Sequence, residues 1–271
     1  MTADRRHTFA LRIARQAGEL GLRHFRALDR LTIESKGHQD LVTNADREVE
    51  TLIRKAIAAE FPDDGIVGEE HGRTGGTSGH VWVIDPIDGT ANFVAGIPAW
   101  CVSIACCRGG VAHTGVIFEP ASGEMFSARR GAGACVNDRP MRASASGSLT
   151  KGSVGTGFSN RAEADNIVGV IGDLIASGGV FYRNASGALM LAYVAAGRLI
   201  GYVEEHMNAW DCLAGLLMVE EAGGRIAQPD PATAIDRGTV VIAGGAAVFP
   251  AIEAIARRRF RARSAIANPV F

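Results

Sequence analysis

The sequence predicts an α/β protein, and three observations carry that prediction. Strand-like and helix-like runs alternate through the second half. In the first half, two amphipathic helical patterns precede several apolar runs of strand length. The composition, 47% hydrophobic with 34 glycines in 271 residues, supplies a core and many tight turns. It also excludes an intrinsically disordered chain. The length suits one large domain or two subdomains of roughly 100–150 residues each.

Residues 4–28 read as a helix, because Phe9, Ile13, Ala17, Leu20 and His24 recur at three- and four-residue spacing. A short strand is expected at 31–34. Thr43 opens a second helix with Val49, Leu52, Ile53 and Ile57 on one face, and Phe61-Pro62 signals its end. Ile66-Val67 and Val81–Ile84 read as short strands, followed by runs at 100–107, 111–118 and 124–128. Ala143–Gly147 is rich in Ser and Gly and marks the boundary between an N-terminal unit, 1–147, and a C-terminal unit, 148–271. Beyond it, strands at 153–156, 180–182, 199–203, 225–227 and 239–243 are expected between helices at 161–177, 187–196, 211–222 and 246–259.

The charge balance narrows the function. Lys and Arg total 28 against 29 Asp and Glu, so nothing electrostatic favours nucleic acid or an anionic membrane as main partner. The N-terminal stretch is charged throughout and lacks a signal-peptide core. The longest apolar stretch, 185–203, is broken by Ser186, Arg198 and glycines, and falls short of a span of about 20 apolar residues. Five cysteines without a C-x-x-C pair point to a reducing, cytoplasmic compartment and to structural thiols.

Three acidic segments are hard to explain as surface charge. Gly68-Glu69-Glu70 follows the apolar pair Ile66-Val67. Asp85-Pro86-Ile87-Asp88-Gly89-Thr90 follows the apolar strand ending at Ile84. Trp210-Asp211 opens an apolar helix. Pro86 biases Asp85 toward extended backbone at a strand's carboxyl end, where α/β proteins place ligands. Asp88 lies three residues on, past the bend. Gly89 permits close approach, and the helical pattern from Thr90 presents amides suited to phosphate. Each piece also has a purely structural explanation. Asp-Pro is a common turn, Glu69-Glu70 could be solvated, Asp211 could serve the helix dipole, and Asp46 could form a capping box with Thr43. Together these explanations weaken, because all the acids follow or open apolar elements. Converging carboxylates repel unless a cation lies between them. Oxygen ligands of this kind suit Mg²⁺, Mn²⁺ or Ca²⁺ rather than zinc.

The motifs DLVTNAD (Asp40–Asp46), GEE (Gly68–Glu70), WVIDPIDGTANF (Trp82–Phe93) and NAWDCLAGLLMVEEAGG (Asn208–Gly224) resemble those of the inositol monophosphatase family. That family belongs to the lithium-sensitive, Mg²⁺-dependent phosphatases that include the fructose-1,6-bisphosphatases. The resemblance runs over nearly the whole chain. It implies a layered αβαβα sandwich, with an α+β N-terminal half built on an antiparallel sheet and an α/β C-terminal half. It implies two to three Mg²⁺ ions, a small phosphate-ester substrate and a homodimer. By the same resemblance, Glu69, Asp85, the Ile87 carbonyl and Thr90 surround a first metal. Asp85, Asp88 and Asp211 surround a second, and a third lies near Glu69 with Glu70. Asp46 pairs with Thr90, and the Gly89 and Thr90 amides cradle phosphate. Ser186, Gly187 and Glu204 fall where the family contacts the substrate's alcohol. Lys36 matches a basic residue on a loop over the site, although one residue is missing between it and Asp40.

The expected reaction is phosphate monoester hydrolysis by direct water attack, since no Ser/His or Cys/His nucleophile pattern is visible. Myo-inositol 1-phosphate ranks first as substrate and histidinol phosphate second. Some bacterial members of the family associate with the transcription machinery. The run Arg257-Arg258-Arg259-Phe260-Arg261-Ala262-Arg263 could serve such contacts, or could simply end a charged helix.

Overall fold

Alternation along the strands decides the architecture. In a strand, neighbouring side chains point to opposite faces, so a strand apolar on every residue needs cover on both sides. The central strands here have that pattern. In the computed structural model, which describes residues 2–37, 40–159 and 161–260, they lie between helical layers.

The chain begins with helix α1 (Thr2–Phe25), strands β1 (Ile33–Gly37) and β2 (Asp40–Thr43), and helix α2 (Asn44–Glu60). Next come β3 (Gly65–Gly68), β4 (Gly72–Thr74), β5 (His80–Asp88) and the short helix α3 (Thr90–Val94). A meander follows, of β6 (Cys101–Arg108), β7 (Val111–Glu119), β8 (Glu124–Arg129), β9 (Gly133–Val136) and β10 (Arg139–Pro140). The second half runs β11 (Ser153–Thr156), α4 (Ala164–Ala176), β12 (Val180–Tyr182), α5 (Gly187–Ala195), β13 (Gly201–Met207) and α6 (Ala209–Glu221). It ends with β14 (Gly224–Ile226), α7 (Ala234–Arg237), β15 (Thr239–Gly245) and α8 (Phe249–Phe260).

Eight strands form one sheet in the order β10-β9-β8-β7-β6-β5-β3-β4, and five form another in the order β12-β11-β13-β15-β14. On one face of the large sheet, Trp82, Ile84, Val102, Ile104 and Val116 pack against Phe9, Ile13, Val49 and Ile53 of α1 and α2. On its other face, Val83, Ala105, Cys107 and Ile117 meet Leu189, Leu213 and Leu217 of α5 and α6. Those helices also cover Tyr202, Val241 and Ala243 of the small sheet. Val154, Val203 and Ile242 point the opposite way, onto α4 and α8. The layers therefore run α, β, α, β, α, as expected. Among the described residues no helix is long and apolar enough to cross a membrane.

Element positions follow the sequence reading except in three kinds of place. β2, β4, β9, β10 and α7 are too short to carry an apolar period, and the sequence reading does not include them. Helix α1 ends at Phe25 rather than 28, β1 runs Ile33–Gly37 rather than 31–34, α4 begins at Ala164 rather than 161, β13 runs Gly201–Met207 rather than 199–203, and α8 begins at Phe249 rather than 246. The strand expected to stop at Ile84 continues through Asp88. It does so through a bulge, because Asp85 pairs with Ser103 while Asp88 pairs with Cys101. Three residues on β5 thus oppose two on β6, and Pro86, which has no amide to donate, lies in the interruption.

One buried carboxylate ties α1 to the sheet. Asp64 accepts Arg6 Nε at 2.9 Å and Nη2 at 2.8 Å, Ser78 Oγ at 2.6 Å and Trp82 Nε1 at 2.9 Å. Burial alone would raise its pKa, but these donors outweigh burial and hold it below the usual carboxylate value. Its stabilising contribution is therefore present above the unfolded value of 3.8 and is lost as pH falls through the lower folded value. Asp64→Asn is expected to cost about 3 kcal/mol at neutral pH, measured by urea unfolding, because it strands Arg6 and disturbs four bonds. A loss below about 0.5 kcal/mol would contradict this account.

Candidate active site

The bulge is what aims the two acids of the D-P-I-D motif. In a regular strand, residues three apart face opposite sides. One extra residue between Asp85 and Asp88 turns both toward the layer of α5 and α6. There, carboxylate oxygens of Asp85, Asp88 and Asp211 all lie within 4.8 Å of one another. Asp211 reaches the cluster as the third residue of α6, where it also accepts the Asn208 amide at 3.2 Å in a capping box. Its capping role and its place in the cluster are thus compatible.

Glu69 arrives through register. β3 and β5 run parallel with Gly68 beside Ile84, so Glu69, just past the end of β3, follows alongside Asp85 at the bulge of β5. The Glu69 amide donates to the Ile84 carbonyl at 3.3 Å. Its charge is felt at Asp85, whose pKa is driven well above 3.8 by burial and then by Glu69, Asp88 and Asp211. Asp211 is pushed up to about 7 by burial and by Asp88. Burial raises Asp88 too, although bonds from Ser186, Ala188 and Cys101 hold it down.

Those bonds define how Asp88 is held. Its Oδ2 accepts the Ser186 hydroxyl, the Ala188 amide at 2.8 Å and the Cys101 thiol at 3.7 Å. Its Oδ1 accepts none of these three bonds, and the Gly187 amide also acts on the carboxylate. Ser186 is fully buried and also caps α5 by accepting the Leu189 amide. Its hydroxyl thus bonds to Asp88 as well as capping α5, at the position where the resemblance implied a substrate contact. Ala185, immediately before it, takes a left-handed backbone (φ 62°), which an alanine adopts at a cost of about 1 kcal/mol.

Thr90 Oγ1 lies 3.2 Å from Asp46 Oδ1 and 3.1 Å from the Ile87 carbonyl. Asp46 also accepts the Thr43 amide at 2.9 Å and hydroxyl at 2.6 Å through Oδ2. The capping box and the Thr90 pairing thus use different oxygens of one buried carboxylate. Burial raises its pKa against the pull of those bonds. Gly89, the N-cap residue before Thr90, has φ 96°, and a Cβ there would lie 2.9 Å from the Ala99 carbonyl oxygen. The amides of the turn that follows, at the start of α3, have no acceptor in their own helix.

Glu204 ends the buried part of β13. Its Oε2 accepts the Tyr202 hydroxyl at 2.5 Å, and burial pushes its pKa up to about 7. Tyr202 and Cys101 are site neighbours that the sequence reading did not include, since each looks like an ordinary core residue of an apolar strand. The side chain of Lys36 lies outside the described residues, as do Arg261 and Arg263. Arg257 pairs with Glu253, and Arg258 and Arg259 with Asp173 on α4, so these three basic residues are engaged within the chain.

The donor set suits a hard divalent cation. Buried carboxylates at this separation raise one another's pKa, and a cation between them removes that penalty. The fold and the centre together define a layered α/β protein with a cluster of carboxylates that could hold a divalent cation. The chain matches the inositol monophosphatase family over residues 3–260, and it belongs to that family. It is 40% identical over 218 residues to the Nus factor SuhB of Escherichia coli K12, covering 79% of this chain and 82% of that protein. It is 39% identical over 216 residues to the inositol-1-monophosphatase of Rhizobium meliloti, covering 77% and 80%. Among solved structures, it superposes on the extragenic suppressor protein suhB of Bartonella henselae with a TM-score of 0.86. The identity there is 33%, and 96% of this chain and 98% of that one are covered.

Proposed function

We propose that the chain is a Mg²⁺-dependent phosphate monoester hydrolase whose preferred substrate is myo-inositol 1-phosphate. The observation that carries this reading is the convergence of Asp85, Asp88 and Asp211 within 4.8 Å, with the charge of Glu69 acting on Asp85. In the division at residue 147, Glu69, Asp85 and Asp88 come from the N-terminal unit and Asp211 from the C-terminal one. Glu69, Glu70, Asp85, Asp88, Asp211 and the Ile87 carbonyl would hold two to three ions. When bound, Mg²⁺ supplies Lewis-acid stabilisation of phosphoryl oxygens and lowers the pKa of a coordinated water.

The chain's own groups supply the rest. Thr90 Oγ1 accepts a proton from the attacking water while its own proton passes to Asp46 Oδ1, 3.2 Å away. The elevated pKa of Asp46 makes it a better proton acceptor than an exposed aspartate. The Gly89 and Thr90 amides face charge that builds on the equatorial phosphoryl oxygens. Gly187 and Glu204 contact the alcohol. A carboxyl that titrates near 7 both accepts and donates hydrogen bonds, which suits a polyol. Histidinol phosphate ranks second, because the Glu204 carboxyl could equally pair with its ammonium group. A panel of phosphate esters assayed with Mg²⁺ tests this. Inositol 1-phosphate is expected to give the highest kcat/KM, and EDTA to abolish turnover. Activity that survives EDTA would remove the metal-dependent reading, and a higher value for histidinol phosphate would reverse the ranking.

The relatives named Nus factor favour a second reading, in which the chain also associates with the transcription machinery. Co-sedimentation with RNA polymerase at low salt, diminished at high salt, is the result it expects. Absence of any co-sedimentation would remove it.

A further inference from the structure

Helix α2 carries a polar line that no motif marked. Asp46, Glu50 and Arg54 stand four residues apart and so share one face. Asp46 holds Thr90. One turn further, Glu50 is fully buried. Its Oε2 accepts the Glu70 amide at 2.7 Å, and its Oε1 accepts the His71 amide at 3.2 Å and Arg54 Nε at 2.6 Å. Arg54 then donates to Thr74 Oγ1 at 3.1 Å and to the Gly72 carbonyl. The turn joining β3 to β4 is thereby gripped at its amides by Glu50 and at a carbonyl by Arg54. Gly68 completes the fit, because a Cβ there would lie 2.1 Å from Glu50 Oε1.

The grip falls where hydrophobic packing gives no hold. β4 is three residues long and exposed throughout. Glu69 lies between Gly68, fixed in register beside Ile84, and the two clamped amides. The backbone that carries the Glu69 carboxylate is therefore set from both sides. We infer that Glu50, backed by Arg54, is a positioning residue for cation binding, which places Glu69 against Asp85. This rests on the metal-dependent reading above and deepens it. It also makes α2 a common rail, since one helix face then orients both Thr90 and Glu69.

The test is calorimetric titration of Mg²⁺ into the EDTA-stripped full chain, alongside melting curves without metal. The proteins compared are the parent, Glu50→Gln, Arg54→Lys and Asp64→Asn. Glutamine keeps the shape of Glu50, but its NH₂ would meet an amide or guanidinium donor. Glu50→Gln is expected to weaken Mg²⁺ binding by about 10- to 100-fold, the usual effect of removing a residue that orients a ligand. Arg54→Lys keeps the charge and loses the carbonyl contact, so a shift of about 3- to 10-fold is expected. Asp64→Asn breaks an equally buried carboxylate network away from the site, and should lower the melting temperature while leaving Mg²⁺ affinity within about twofold. At saturating Mg²⁺, Glu50→Gln should keep the parent's KM for the ester.

A folded Glu50→Gln protein that binds Mg²⁺ as the parent does would overturn the inference. So would an equal shift in Asp64→Asn, which would make the effect one of general stability. Should Glu50→Gln fail to fold, parental Mg²⁺ affinity in Arg54→Lys overturns it instead. Failure of the inference alone shows as a parent that binds Mg²⁺ and variants that match it. A parent that binds no Mg²⁺ overturns the metal-dependent reading as well.

Discussion

The Asp85→Asn protein is expected to lose at least about 10³ in kcat/KM, about 4 kcal/mol of barrier, and yet to melt at a higher temperature than the parent without divalent cations. Asp85 is the most enclosed acid of the cluster, and its pKa is driven up by burial and by three carboxylate neighbours. Removing its charge removes a ligand and also a repulsion. Activity and stability then move in opposite directions, as is usual where a site stores unfavourable charge. The pH dependence follows from the same shifts. Asp211 titrates near 7 in the folded chain against 3.8 ordinarily, and Asp85 also lies well above 3.8. Between those values the folded state binds more protons than the unfolded one, so metal-free stability falls as pH rises through that window. Melting curves in EDTA at pH 5 and pH 8 should show this fall in the parent and a smaller one in Asp85→Asn. A variant that melts below the parent at pH 8, or that keeps its activity, would contradict the account.

Asp88→Asn is the second large effect, a loss of at least about 10² in kcat, or about 2.7 kcal/mol. Three donors converge on Asp88 Oδ2, from Ser186, Ala188 and Cys101. An asparagine oxygen can keep those bonds, and its NH₂ then replaces the Oδ1 that would ligate the cation. The fold should survive, with far-ultraviolet circular dichroism unchanged, while turnover falls. Turnover equal to the parent's would remove Asp88 from the cation site.

The layers were legible because the apolar pattern switches between periods of about two and 3.6 residues, and that switch is set by burial. The acids of the centre were legible for a related reason. Glu69, Asp85 and Asp211 each follow or open an apolar element, so their placement at one edge of the core could be read from order alone. The bulge was not legible. Pro86 signals a break in the ladder equally well for a turn and for a bulge, and only the pairing of Asp88 with Cys101 distinguishes them. Glu50 was missed for a different reason. It sits between Val49 and Leu52 in a helix, where a glutamate ordinarily faces solvent, and its burial depends on a turn 20 residues away. The spacing Asp46, Glu50, Arg54 is the signal that could have found it. The bond from Ser186 to Asp88 was not legible, because an N-cap hydroxyl and a substrate contact look alike in sequence.

The central claim is that the buried carboxylates form one divalent-cation site. Calorimetric titration of Mg²⁺ into the metal-free chain at pH 7, repeated in buffers of different ionisation enthalpy, tests it most directly. With Asp211 titrating near 7 and Asp85 raised well above its ordinary 3.8, the account predicts saturable binding with release of protons from the cluster. It also predicts that Asp85→Asn abolishes that binding. No binding, or binding unchanged in Asp85→Asn and without proton release, would contradict it.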